Sequence, residues 1–225
     1  HGETRFIGPD PVTLSLNEMV PEHPHSILQG YVVTEKADGI RAQLIVHSGE
    51  GHLILGKNLG VIQTGIQFDN VHGVWVFDGE YITSDKVGNP TRLFMIFDVY
   101  YAGDGGNEKV YPDHAYTYPW LSPSKNSITR SLIIEGFKHQ VRMVPRATVD
   151  DPVIVGFKTY YEGPRTLGKT GSNILKMGKV CKKIFTFDSK KEGYGYTIDG
   201  LIFMPMYCPV KSMNGIPVSN IGGAW

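Results

Sequence analysis

The chain has little cysteine, no long apolar run and no net charge, and each shortage closes off a class of protein. Only two cysteines occur in 225 residues, Cys181 and Cys208, without C-x-x-C spacing. That excludes a disulfide framework and fits a reducing, cytoplasmic setting. No stretch of eighteen apolar residues is present, so neither a membrane-spanning helix nor a membrane partner is expected. The eight histidines are scattered, and His23 and His25 sit among prolines, which argues against a zinc site. No signal-peptide pattern opens the chain. It starts His1-Gly2-Glu3 without an initiator methionine, which reads as the start of a fragment cut from something longer.

What is present suffices for a sizeable core, since 41% of residues are hydrophobic. Formal charge sums to zero but is unevenly spread. Residues 1–150 carry 12 Lys+Arg against 17 Asp+Glu, and residues 151–225 carry 10 against 5. A basic last third can attract phosphates or nucleic acid, or can simply be a solvated helix face.

Periodicity points to a strand-rich chain. The first thirty residues hold prolines at 9, 11, 21 and 24 and read as loop, with a short helix in "VTLSLNEMV". "YVVTEK" and "RAQLIVHS" read as paired strands, the second alternating Ala42, Leu44 and Val46 with Arg41, Gln43 and Ile45. "GHLILGKN", "GVWVFDGEYIT", "RLFMIFDVYYA", "DPVIVGFKTYYEG" and "YTIDGLIFMP" are further strands, rich in β-branched and aromatic residues. Asp104-Gly105, in a Gly/Pro-rich stretch, reads as a turn. Two segments read as helices: "SITRSLIIEGFKHQV", with Ile128, Leu132 and Phe137 on one face, and "SNILKMGKVCKKIF", with its lysines outside. The expected fold class is α+β, with mostly antiparallel sheets flanked by helices.

Asp-Gly interrupts apolar strands three times, at Asp38-Gly39, Asp78-Gly79 and Asp199-Gly200. Hairpin turns would explain such pairs, but "YTIDGLIF" is apolar on both sides, as a continuous strand would be. Glycine within a strand often marks the close approach of a ligand, so the three together suggest a lined pocket. Around the first pair, a tight connection would set Lys36 opposite Arg41. Like charges facing each other destabilise a strand pair, yet a neighbouring cation favours the neutral form of a lysine. Free lysine is neutral in only about one molecule in a thousand near pH 7.4, and a nucleophilic lysine must be neutral.

These residues resemble the covalent nucleotidyltransferases, the family of mRNA capping guanylyltransferases and of DNA and RNA ligases. "KADGIR" matches its K-x-D-G-x-R signature, "FDGEYI" its third motif, "LFMIFDVYY" the strand that follows, and "TIDGLIF" its fourth, in the family's order over residues 31–204. The run "TEKADGIRA" is most similar to capping enzymes of large cytoplasmic DNA viruses of the poxvirus and asfarvirus type. The resemblance implies an ATP-grasp-like nucleotidyltransferase domain over residues 1–225. It implies a viral or host-cytoplasmic setting and fused triphosphatase and methyltransferase domains in the full-length chain. Lys36 would attack the α-phosphate of GTP, and GMP would then pass to a 5′-diphosphate RNA. Asp38 and Gly39 would shape the turn, and Arg41 would contact sugar or phosphate. Glu80 would hold a ribose hydroxyl or sit near the metal, Phe97 would stack on the base, and Asp199 would bind Mg²⁺ or Mn²⁺. Lys57 and Lys158 would contact phosphates or base. The family's fifth motif, a lysine pair after the fourth, has no match beyond the single Lys211. The family's C-terminal OB-fold domain is not expected within these 225 residues. Two alternatives follow: a ligase adenylylating Lys36 from ATP, and a nucleic-acid-binding module that keeps the fold without transfer.

A competing pattern is "GPRTLGKT", Gly163 to Thr170, which satisfies G-x-x-x-x-G-K-[ST] between a strand-like and a helix-like segment. It would put Lys169 and Thr170 on phosphate and Mg²⁺. Only 55 residues follow Thr170, too few for the parallel βαβ units such a domain needs. A loop is the expected reading.

Overall fold

Strand-forming sequence dominates the structure, a computed structural model that describes residues 8–56, 58–103, 118–122, 127–147, 149–166 and 170–208. The strands are β1 (Tyr31–Ala37), β2 (Ile40–His47), β3 (Glu50–Leu55), β4 (Val61–Asp69) and β5 (Val74–Ser84). They continue as β6 (Pro90–Ala102), β7 (Arg142–Pro145), β8 (Ile154–Phe157), β9 (Tyr161–Glu162) and β10 (Ile198–Pro205). Two helices, α1 (Arg130–Gln140) and α2 (Thr170–Asp188), accompany them. The fold is mixed α+β.

Two sheets form, one of three strands in the order β10-β1-β9 and one of seven in the order β7-β4-β3-β2-β5-β6-β8. Pairing is antiparallel throughout except between β6 and β8. The apolar face expected in β2 is found, with Ala42, Leu44 and Val46 fully buried, although Gln43 between them is buried as well. With Leu53, Phe77, Phe94 and Ile96 they build the main core, which Ile133 and Phe137 of α1 close. Phe77 and Phe137 rings lie 4.6 Å apart, and each such ring contributes about 1.5–3 kcal/mol by leaving water. Met177 and Ile184 of α2 cover the small sheet through Ile27, Leu28 and Val33.

Several expectations are corrected. β1 and β2 do not pair: the chain leaves the small sheet at Asp38-Gly39 and enters the large one. Lys36 therefore lies opposite Gly200, and Arg41 opposite Glu80. β1 is buried on both faces over Tyr31–Glu35, which calls for partners other than an exposed hairpin. The helix face of α1 is phased differently from the reading above. Thr129 caps the helix by accepting from the Leu132 amide, so Arg130, Ile133 and Phe137 face inward while Ile128 and Leu132 are exposed. The segment "VTLSLNEMV" supplies only a 3₁₀ turn, Leu16–Met19. "DPVIVGFKTYYEG" splits into β8 and β9, which belong to different sheets. The lysines of α2 are exposed, as expected. Asp104-Gly105 and Lys211 lie outside the described residues. No described helix is long and apolar enough to cross a membrane.

Candidate active site

A cleft of about 560 Å³ opens where the two sheets meet. β1 and β10 supply Lys36, Asp199 and Gly200 from one side, while β2, β5 and β6 supply Arg41, Asp78, Glu80, Phe97 and Asp98 from the other. The segment Pro9–Leu14 lies along its rim.

Two of the three Asp-Gly pairs sit within unbroken strands. Asp78-Gly79 lies at a bulge in the β5–β6 pairing, and a further register shift falls beside Lys36 in β1 against β10. Such bulges re-aim side chains. Asp38-Gly39 is the turn between the sheets, and its Asp38 amide donates to the Thr197 carbonyl at 3.0 Å. Glycine is needed there: a Cβ on Gly39 would come within 2.8 Å of both the Glu80 side chain and the Tyr81 carbonyl. The turn thus lets β5 bring Glu80 close beneath it.

Lys36 is held by a carboxylate instead of facing a cation. Its Nζ donates to both oxygens of Asp199, at 2.7 and 2.6 Å, and both side chains are about half exposed. The expected placement of Lys36 opposite Arg41 across a hairpin is therefore not found. Arg41 instead donates to Asp78 through Nε and an η nitrogen, at 3.2 and 2.7 Å, and to the Pro9 carbonyl at 2.9 Å. It brackets the rim segment to the floor of the cleft.

Glu80 faces the cleft, and burial pushes its carboxyl above the usual range against the opposing pull of Lys158 and Lys36. Phe97 lines the cleft, and its carbonyl accepts from the Tyr160 hydroxyl at 3.2 Å. Lys158 is buried, 5.8 Å from the Phe97 ring centroid, with Nζ donating to the Glu35 carbonyl at 3.0 Å. Burial lowers its pKa, opposed by the Glu35 carboxylate 3.8 Å away and by Glu80. Lys57, Lys169 and the side chain of Thr170 fall outside what is described, so the P-loop pattern receives no geometry.

Sequence reasoning passed over the polar groups beneath the cleft. Glu35 is fully buried and accepts from Thr34 and Tyr196 hydroxyls, both at 2.7 Å. Asp78 accepts from Arg41 and from the Tyr100 hydroxyl at 3.0 Å, and Asp98 accepts from Arg130. The signal was there, as acids within apolar strands that can be buried only with partners.

Burial is the largest influence on Asp78 and pushes its pKa up to about 6, against the pull of Arg41. A carboxyl raised in the folded state binds its proton more tightly there than in the unfolded chain. Its contribution to stability is full below the unfolded value of about 3.9 and is lost as pH rises through about 6. Asp78→Asn removes this titration. Between pH 4 and pH 7, wild-type stability relative to the variant is expected to fall by about 1–3 kcal/mol in urea unfolding. A difference that stays level across that range would place the Asp78 pKa at its ordinary value.

Two carboxylates beside Lys36, Glu80 and Asp199, present hard oxygen donors suited to Mg²⁺ or Mn²⁺. Among the described residues no group of three or more His, Cys, Asp or Glu is arranged to hold a metal ion. No protein-family model matches the chain, and no curated protein sequence does either.

Proposed function

We propose that this chain is the nucleotidyltransferase domain of an mRNA-capping guanylyltransferase, working through a covalent lysyl-GMP intermediate. One observation carries the reading. Lys36, Glu80, Phe97 and Asp199, drawn from four separate motifs, line one cleft. A nucleophile, an aromatic platform and two carboxylates are the groups that nucleotidyl transfer to lysine requires.

In the first step the half-exposed Lys36 ammonium gives a proton to water, and the neutral Nζ attacks the α-phosphorus of GTP, losing a second proton to water as the phosphoramidate forms. The N–P bond forms as the bond to the α,β-bridging oxygen breaks, and pyrophosphate leaves with that electron pair. In the second step a β-phosphate oxygen of 5′-diphosphate RNA attacks the same phosphorus. The N–P bond breaks as the leaving Nζ takes a proton from water, and the 5′-5′ triphosphate cap results. Phe97 would stack on the base, an interaction worth about 1–3 kcal/mol. Glu80 and Asp199 would hold Mg²⁺ or Mn²⁺, which supplies charge neutralisation at the phosphate oxygens.

The test is incubation with GTP or ATP labelled at the α-phosphate, plus Mg²⁺, followed by a denaturing gel. Acid-labile protein-bound label from GTP alone is expected. Label from ATP alone would reassign the domain to the ligase branch. Absence of label from both would overturn the transferase reading and favour a nucleic-acid-binding module.

A further inference from the structure

The basic excess of the last third has a definite place in the fold. Helix α2 and the two residues after Ser189 carry six lysines, Lys176, Lys179, Lys182, Lys183, Lys190 and Lys191, all exposed. Among the described residues none of the six is paired with a carboxylate. The helix has one acid, Asp188, and Lys86 of the β5–β6 turn already occupies it. Lys176, Lys179 and Lys183 follow i, i+3, i+7 spacing and so form one stripe, separated by rises of about 4.5 and 6 Å. Lys183 Nζ lies 4.6 Å from the ring centroid of Tyr161, which places the stripe on the flank nearest β9. β9 pairs with β1, the strand that carries Lys36. Unpaired like charges at helical spacing destabilise a helix, so local stability does not explain them.

We propose that this stripe is a docking ridge for a single-stranded nucleic acid, which it binds through the phosphate backbone. The occupant follows from charge complementarity: a row of ammonium groups fits a row of phosphates. An anionic membrane is the other polyanion such a helix could meet. The three stripe positions present ammonium groups only, however, with Met177 and Ile184 turned inward against Ile27, Leu28 and Val33. That the strand is the RNA acceptor rests on the transferase reading. The binding itself does not.

The experiment is fluorescence anisotropy of the wild-type chain with a labelled oligouridylate across a salt series. Engagement of about three phosphates predicts a log–log salt slope near −2. The triple substitution Lys176→Glu, Lys179→Glu, Lys183→Glu is expected to weaken binding at least tenfold and flatten the slope. The matching triple arginine variant should retain it. Label transfer from GTP should be unchanged in both variants. Equal affinity in wild type and the glutamate variant would overturn the ridge. So would binding to phosphatidylserine vesicles with none to the oligonucleotide. Oligonucleotide binding without any label transfer would support the ridge and count against the transferase.

Discussion

Lys36→Ala is expected to abolish the acid-labile nucleotide adduct, lowering labelling by more than about 10³-fold. Among the described residues no other lysine lines the cleft. Lys158, the other lysine near the cleft, has a fully buried side chain held by the Glu35 carbonyl. Lys36→Arg should be equally silent, because a guanidinium keeps its proton at any working pH. It can still pair with Asp199, so this variant separates the nucleophile from its charge. Neither change should unfold the protein. The Lys36–Asp199 pair is about half exposed on both sides, and exposed pairs contribute about 0–1 kcal/mol. In a domain of this size that corresponds to a melting shift of about 2–4 °C at most. Gel labelling together with a thermal melt checks both statements. Wild-type labelling in Lys36→Ala would move the adduct to another residue and remove the basis for the covalent reading.

The cleft was legible in the sequence to the extent that its residues sit in recurring strand contexts. Asp-Gly inside apolar runs marked β5 and β10, and alternation marked β2. The α+β class followed from those runs. Pairing was not legible, because β1 and β2 look like hairpin arms separated by a favoured turn. What sends them to different sheets is long-range: β10, more than 160 residues away, takes the edge that β2 would have used. β4 and β7 were missed, since Gly65 breaks the first and the second is four residues long. The phase of α1 depended on where its cap fell, and a cap at Thr129 buries Arg130, a residue no apolar pattern selects. The partners of Asp78 and Asp98 were likewise hidden. A charge inside a strand announces the need for a partner, but only the fold brings that partner close.

Arg130 gives the largest expected effect on stability. Its side chain is fully buried, and it donates to Asp98 through Nε at 2.7 Å and an η nitrogen at 2.9 Å. Asp98 is itself 5% exposed. Arg130→Ala leaves that carboxylate in the core without its counter-charge, which costs about 3–5 kcal/mol. That is a large fraction of the 5–15 kcal/mol typical of a domain, so urea unfolding should show a much earlier midpoint. The loss would come mainly from the stranded Asp98 and less from the pair's own net worth, and a second variant separates the two. Arg130→Met with Asp98→Asn removes both charges and keeps most of the volume. It should recover more than half of the lost stability, as buried pairs replaced by neutral side chains often do. If the double variant is no more stable than Arg130→Ala, the helix start and the packing of Arg130 on Tyr100, 5.8 Å from its ring centroid, carry the energy instead. Recovery would leave a reason for retaining the pair that lies in position and not in stability. Asp98 follows Phe97 in β6, and both line the cleft. A carboxylate locked by a buried guanidinium fixes the strand that carries Phe97, the ring proposed to stack on the base. The double variant should therefore fold well yet bind nucleotide more weakly than wild type.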